Sequence, residues 1–243
     1  MNYSFLQCGE GALTVHLGDG IDPAINRRVT ALQGAIGSAG LRGITDLIPA
    51  YADLTVCYDC TVISAKALQR QLRRLLDSLS VAGQDRRRVF RLPVCYGGDY
   101  GPDLDFVCHH SGLSAQEVIA LHSAPDYLIY MLGFLPGFAY LGGLDPRLHT
   151  PRLDSPRTCI PAGSVGIGGA QTGVYPLASP GGWQLLGRTP VSVFDRQRQE
   201  PILYRAGDLV HFVPISPADY EEIARAVAAG TYTVQVEEVP VCD

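Results

Sequence analysis

The stretch GSVGIGGAQTGVYPLASPGGW, residues 163–183, holds seven glycines and two prolines but no charged residue. Glycine loses more conformational freedom on folding than any other residue, so this density indicates turns with positive φ or close approach of the backbone to another group. That group can be a phosphate, a small ligand or a neighbouring strand. The segment therefore predicts short strands and turns at this point of the fold.

The whole chain sets further bounds. Its 243 residues permit one large domain or two smaller ones, and a net charge of −5 argues against a general nucleic-acid binder. No apolar run reaches 18 residues, so no membrane span is expected. The N-terminus, MNYSFLQCGEGAL, lacks the pattern of a secretory signal, which predicts a cytoplasmic protein.

Lysine is nearly absent from the chain, since Lys66 stands alone against eighteen arginines. A phosphate-binding P-loop, a Schiff base and a biotin carrier each need a lysine, and the surroundings of Lys66, ISAKALQRQL, fit none of them. If ATP or biotin takes part in the function, another chain is expected to hold it.

Residues 1–85 are predicted to form an α+β domain. TVHLG and DLTVCYD have the apolar pattern of strands, whereas DPAINRRVTALQGAIG and residues 64–79 have apolar residues at helical spacing. The polar, basic segment from Val81 to Arg88 breaks the pattern and is the predicted domain boundary.

Residues 86–243 are predicted to form a mostly-β domain, a closed barrel or a sandwich, with a C-terminal helix. Short apolar runs alternate with dense turn signals from Asp126 onward. Ser114 and Glu117 have the spacing of a capping box at a helix start, and a last helix is expected between Ser216 and Gly230.

Two nucleotide or catalytic interpretations of the glycine stretch fail. A dinucleotide-binding loop needs glycine where Gln171 stands and a helix afterwards. A nucleophile elbow around Ser164 also needs a following helix, but the segment is glycine-rich. A small ligand or a partner surface remains as the preferred interpretation.

Three Pro-Arg pairs precede the stretch at a spacing of five, with the arginines at Arg147, Arg152 and Arg157. In an extended chain Arg147 and Arg157 would converge while Arg152 points away. Arginine at an uncharged surface suits a carboxylate or a phosphate. The alternative is that these are surface arginines paired with Asp145 and Asp154.

The candidate site combines these arginines with the polar and aromatic residues nearby. Gln171 and Tyr175 suit a lactam edge, and His149 suits acid–base chemistry near neutral pH. No metal site is expected, because Cys57-x-x-Cys60 has no second ligand pair. The predicted catalytic residues are His149, Gln171 and Tyr175, and the predicted substrate-binding residues are Arg147, Arg157, Gly168, Gly169, Thr172, Trp183 and Arg188.

The segment from Gly133 to Pro190, together with PVCYGGDYGPDL at residues 93–104, strongly resembles the KipI family. This family is also called the allophanate hydrolase subunit 1 family, and it includes the B subunit of bacterial 5-oxoprolinase. The resemblance implies an α+β domain followed by a cyclophilin-like β-barrel. It also implies two kinds of partner chain, one of the KipA type (the C subunit) and one of the LamB/YcsF type (the A subunit).

The function that the resemblance implies is ATP-dependent opening of 5-oxoproline to glutamate, with ATP used at the level of the complex and bound mainly by a partner. Two alternatives remain open within the same family. One is inhibition of a sensor histidine kinase, as by KipI itself, and the other is a carboxyltransferase-like role in urea breakdown.

Overall fold

The computed structural model describes residues 3–79 and 86–240 of the chain. The chain divides into two compact units, residues 1–85 and 86–243. Most of the predicted boundary, residues 81–85, lies outside the described residues. Its last three residues, Arg86 to Arg88, are the start of a strand, so the basic run is not wholly a linker.

The first unit is a four-stranded antiparallel sheet with two helices, and the strand order is β1-β2-β4-β3. Its buried side chains come from alternate strand positions and from one stripe of each helix, in one hydrophobic core. The elements are β1 (Ser4–Cys8), β2 (Ala12–His16), α1 (Pro23–Ala39), β3 (Ile44–Pro49), β4 (Asp53–Tyr58) and α2 (Ala65–Asp77).

Both helices of this unit begin where capping residues predict. The Asp22 side chain accepts a hydrogen bond from the Ala24 amide, and Ser64 caps α2 in the same way through the Ala67 amide. Helix α1 ends at Gly40, whose φ of 56° is the left-handed conformation that glycine adopts without strain. The two predicted helices are confirmed, whereas β1 and β3 were not predicted.

The second unit has nine further strands and three helices among its described residues, followed by β14. None of the helices in residues 3–79 and 86–240 is long and apolar enough to cross a bilayer. The elements are β5 (Arg86–Tyr96), α3 (Leu104–Ser111), α4 (Ala115–Ser123), β6 (Asp126–Leu132), β7 (Ala139–Gly142), β8 (Arg157–Ile160), β9 (Ser164–Gly168), β10 (Gln171–Val174), β11 (Ser179–Gly181), β12 (Gln184–Arg188), β13 (Leu209–Ile215), α5 (Pro217–Ala228) and β14 (Gln235–Pro240).

Seven of these strands close into a barrel in the order β12-β9-β10-β7-β6-β13-β5, and β5 returns to β12 through Tyr96 and Cys95. The long strand β5 also pairs in parallel with β13 and antiparallel with β14. Strands β8 and β11 form a separate two-stranded sheet. The predicted fold class, an α+β unit followed by a mostly-β, cyclophilin-like barrel, is confirmed.

A buried chain of hydrogen bonds crosses the barrel core at His122, a fully buried residue of α4. The Thr172 hydroxyl donates to the Gly166 carbonyl at 3.0 Å, so it accepts from Nε2 of His122 at 2.8 Å. Nδ1 of His122 is then the acceptor for the Tyr96 hydroxyl, also at 2.8 Å. Burial lowers the pKa of His122 to about 3, so the imidazole stays neutral.

This histidine makes the stability of the protein depend on pH in a defined window. In the unfolded protein the His122 imidazole has an ordinary pKa of 6.5 and is protonated below that pH. In the folded protein it is protonated only near pH 3. The contribution of neutral His122 to the free energy of unfolding is therefore fully present above pH 6.5 and decreases as the pH falls below it. Between pH 7 and pH 5 we expect this group to lower the free energy of unfolding by about 2 kcal/mol.

Urea unfolding of the wild type and of His122→Leu at pH 7 and pH 5 measures this contribution. The variant is less stable at pH 7, because the Tyr96 and Thr172 hydroxyls lose their partner. Its stability changes less between the two pH values, and the other histidines cancel in the comparison. An equal pH dependence in both proteins contradicts the assignment.

Candidate functional site

Trp183 organises the part of the barrel that carries the glycine stretch. Its indole is 5% exposed and lies against β9 and β10. A Cβ atom on Gly168 would overlap the indole, and one on Gly173 would lie 3.3 Å from it. Glycine is therefore required at position 168, because the indole fills the space that a side chain would occupy, and it is favoured at position 173, where the approach is tight.

Other glycines of the stretch allow equally close approach of the chain to itself. A Cβ on Gly166 would lie 2.7 Å from the Gln184 carbonyl oxygen on the neighbouring strand, and one on Gly181 would lie 2.6 Å from the Tyr175 hydroxyl. The interpretation that the glycines crowd around a small ligand or a partner is thus wrong for these positions. They accommodate aromatic rings and adjacent strands of the same chain.

The packing around Trp183 leaves an open cleft of about 300 Å³ at the surface. Phe138 lies at its centre, with edge-on ring contacts to Trp183 at 5.5 Å, Tyr175 at 5.5 Å and Tyr140 at 5.2 Å between centroids. We call this the aromatic cleft, and its side chains are Phe134, Phe138, Tyr140, Arg152, Tyr175 and Trp183.

Arg152 supplies the positive charge of the aromatic cleft. Its guanidinium carbon lies 6.0 Å from the centroid of the Trp183 ring, and the side chain is exposed. Among residues 3–79 and 86–240 it has no carboxylate partner. The expectation that Arg152 points away from the site is wrong, because residues 151–156 are irregular and strand alternation does not apply to them.

Arg157 forms an ion pair within the chain. Its guanidinium donates to Asp103 at 2.7 Å and to the Trp183 carbonyl at 3.3 Å. The other oxygen of Asp103 accepts from the Leu185 amide at 2.6 Å. The predicted role of Arg157 in holding a substrate carboxylate is not supported, because the guanidinium is already paired with the buried carboxylate of Asp103.

Arg147 and His149 lie elsewhere. Asp145 begins a 3₁₀ turn and accepts from both Nε and Nη2 of Arg147, at 3.0 and 2.7 Å, which lowers the pKa of Asp145 to about 2. Arg147 is exposed, and the exposed His149 follows the same turn. Neither lines the aromatic cleft. The predicted convergence of Arg147 with Arg157 is therefore not seen, since each has its own aspartate.

Tyr175 is the one predicted catalytic residue that reaches the cleft. Burial is the largest effect and raises the pKa of its hydroxyl, although Arg152 and Arg157 act in the opposite direction. The phenol therefore remains neutral at pH 7 and can donate a hydrogen bond. Trp183 also lines the cleft while its ring packs into a buried hydrophobic cluster.

The remaining predicted residues face other surroundings. Thr172 is fully buried and bound to His122, so it is unavailable to a substrate. Gly168 lies under the indole, and Gly169, with φ of 65°, forms the turn between β9 and β10. Gln171 begins β10 opposite Gly168 and is outside the cleft.

Arg188 lines a second, smaller pocket of about 170 Å³, together with Gly163, Thr189 and Tyr220. Its Nε donates to the Ala162 carbonyl at 2.9 Å. Tyr175 lines this pocket as well as the aromatic cleft. Of the predicted substrate-binding arginines, Arg188 alone lines one of these two pockets, and it lies in a different pocket from Arg152.

Sequence reasoning missed Phe134, Phe138 and Tyr140, which supply three of the aromatic side chains of the aromatic cleft. The signal was available in GFLPGFAY, where aromatic residues flank a Pro-Gly turn. No three histidine, cysteine, aspartate or glutamate side chains converge as a metal-ligand set within the described parts of the chain.

Comparison with known proteins relates the chain to components of enzyme complexes. The family described as "Carboxyltransferase domain, subdomain C and D" matches residues 3–204. The chain is 42% identical over 230 residues to the B subunit of 5-oxoprolinase from Bacillus subtilis (strain 168), covering 90% of this chain and 96% of that protein. Identity to the B subunit of 5-oxoprolinase from Escherichia coli O157:H7 is 45% over 207 residues, or 85% and 93% of the two chains.

Solved structures share the fold. The crystal structure of TTHA0988 matches 84% of this chain with a TM-score of 0.75 and 40% identity, and the chain spans 40% of that longer protein. The urea carboxylase of Kluyveromyces lactis matches 98% of this chain, which spans 24% of it, with a TM-score of 0.82. At 23% identity, the second likeness concerns the fold alone.

The contact between Trp183 and Gly168 predicts a sharp difference between two glycine substitutions. Gly168→Ala places a methyl group inside the indole, so we expect a loss of about 1–3 kcal/mol in the free energy of unfolding. Gly182→Ala is the matched control, because its Cβ would lie 3.6 Å from the nearest atom, an ordinary contact. Urea unfolding measures both, and equal stability of the two variants contradicts the packing argument.

Proposed function

Because the chain belongs to the carboxyltransferase-domain family and resembles its 5-oxoprolinase members across most of its length, we propose that it is the B subunit of an ATP-dependent 5-oxoprolinase. The family resemblance inferred from the glycine-rich motif is confirmed. The observation that carries the proposal is 42% identity spanning 96% of a protein of that name. The complex would hydrolyse 5-oxoproline to glutamate.

The aromatic cleft suits this substrate. 5-Oxoproline is a small, nearly flat lactam with one carboxylate. The faces of its ring would pack on Trp183 and Phe138, and its carboxylate would pair with Arg152, the cleft arginine whose charge no carboxylate of the described residues neutralises.

Tyr175 would hydrogen bond to the lactam. Its neutral hydroxyl is the polar group of the cleft best suited to the lactam edge, and this bond would orient the amide for reaction. A lactam amide is a poor electrophile, and ATP used by the complex would convert its oxygen into a leaving group. This chain would bind and orient the ring, whereas the nucleotide would be held mainly by a partner.

Partner chains of the KipA type and the LamB/YcsF type are part of the proposal. The relatives are named as subunits, and the aromatic cleft is open on one side. Phosphoryl transfer to the amide needs bulk water to be kept from the phosphoryl group, whereas a bound water must still reach the activated carbonyl carbon to open the ring. A partner that covers the open side would complete the site.

Reconstitution of the three subunits tests the proposed function. We expect ATP-coupled formation of glutamate from 5-oxoproline by the complete set, and a loss on the order of a hundredfold, or about 99%, when this chain is omitted. Full activity without this chain rejects the proposal. Inhibition of a histidine kinase, or carboxyl transfer with a biotin-bearing chain, would then be the activities to measure.

Arg152 generates a second prediction for the complete complex. Arg152→Ala removes the proposed partner of the substrate carboxylate, so we expect KM for 5-oxoproline to rise about tenfold or more with a smaller change in kcat. Arg147→Ala is the control, because Arg147 is exposed, bound to Asp145 and outside the cleft. Equal KM values for the two variants contradict the placement of the carboxylate.

A further inference from the structure

Phe134 occupies an unusual backbone conformation at the mouth of the aromatic cleft. Its φ is 64°, and no other non-glycine residue of the described parts of the chain has a positive φ. The Leu135 amide donates to the Gly133 carbonyl at 2.7 Å, which closes a γ-turn around Phe134. A γ-turn with positive φ is rare and strained, above all for a bulky side chain.

The turn is nevertheless held rigidly. The Phe138 amide donates to the Leu135 carbonyl at 3.0 Å across a Pro-Gly turn, and the Gly133 amide donates to the Phe138 carbonyl at 3.1 Å. The buried hydroxyl of Tyr204 donates to the Gly137 carbonyl at 3.0 Å. These bonds fix the backbone on both sides of Phe134, and so fix the point from which its side chain extends.

Burial of the Phe134 ring does not offset this strain. The residue is 64% exposed, and its ring makes an edge-on contact with Phe138 at 5.5 Å. A strained, fixed and exposed aromatic residue is poorly explained by folding alone, whereas such strain commonly accompanies ligand contacts. The ring lines the aromatic cleft beside Arg152 and Trp183, where a ligand would cover it.

We infer that Phe134 is a specificity-determining residue, whose ring stacks on the flat ring of the bound acid and distinguishes it from the ring-opened product. The inference rests on the proposed function. The closed lactam offers a planar, uncharged face. Glutamate has no ring, and it carries an ammonium group and a second carboxylate, whose desolvation against Phe134 is unfavourable. The same residue would therefore retain the substrate and release the product.

Trp183 provides the measurement, because it is the single tryptophan of the chain and lines the cleft. Its fluorescence is followed while 5-oxoproline or glutamate is added to the purified chain. We expect Phe134→Gly to weaken binding of 5-oxoproline about tenfold, the value of one aromatic contact, and to leave the weak binding of glutamate unchanged. In the reconstituted complex KM should rise by the same factor.

Two controls separate this role from a structural one. Phe134→Gly should not lower the melting temperature, because glycine adopts positive φ without strain. Phe106→Ala removes another exposed phenylalanine, which is 49% exposed on α3 and outside the cleft, and should bind 5-oxoproline like the wild type.

The outcomes distinguish the inference from the proposed function. Unchanged affinity of Phe134→Gly overturns the inference even if the complex remains an active 5-oxoprolinase. A fluorescence response to pyrrole-2-carboxylate but not to 5-oxoproline, lost in Phe134→Gly, supports the stacking role and rejects the proposed substrate. No response to either ring acid, or loss of partner assembly in Phe134→Gly with ligand binding unchanged, overturns the inference.

Discussion

The packing of the Trp183 indole against glycine residues of β9 and β10 is the constraint on which this part of the barrel depends. Trp183 occupies the space that a side chain at Gly168 would need, and it lies tightly against Gly173, so β9 holds the ring only with glycine at position 168. The cost of that much glycine is conformational entropy. The burial of a large aromatic side chain and its ring contacts offset it.

The chemistry of the cleft follows from this packing. With the indole fixed, Phe138 is held edge-on between Trp183 and Tyr175, and the rings form walls of an apolar recess. The ion pair of Arg157 with Asp103 links β8 to the start of α3, and Asp103 also accepts a hydrogen bond from the Leu185 amide of β12. Arg152 then stands as the cationic group that a bound acid can reach.

The elements that the sequence revealed are those whose signals are local. Helix α2 was predicted because leucines recur on one face after a serine cap, and α4 because Ser114 and Glu117 cap each other. Strands β1 and β3 were missed, as their sequences SFLQC and ITDLIP lack a strong alternating pattern. The parallel pairing of β5 with β13 joins segments that are far apart in the chain, and no local pattern encodes such a pairing.

The features of the candidate site can likewise be separated into those that the sequence indicated and those that the tertiary structure decided. Strand, helix and turn patterns by themselves indicated an α+β unit followed by a mostly-β domain, and the glycine density indicated close approach of the backbone in residues 163–183. The family and the barrel type were implied by the resemblance of residues 133–190 to known proteins. The sequence also marked Tyr175 and Trp183. Only the tertiary structure decided which arginine faces the cleft, since Arg157 is occupied by the distant Asp103, whereas Arg147 pairs with Asp145 of its own turn. The strained turn at Phe134 likewise exists only because distant hydrogen bonds hold it, and a linear sequence does not display such bonds.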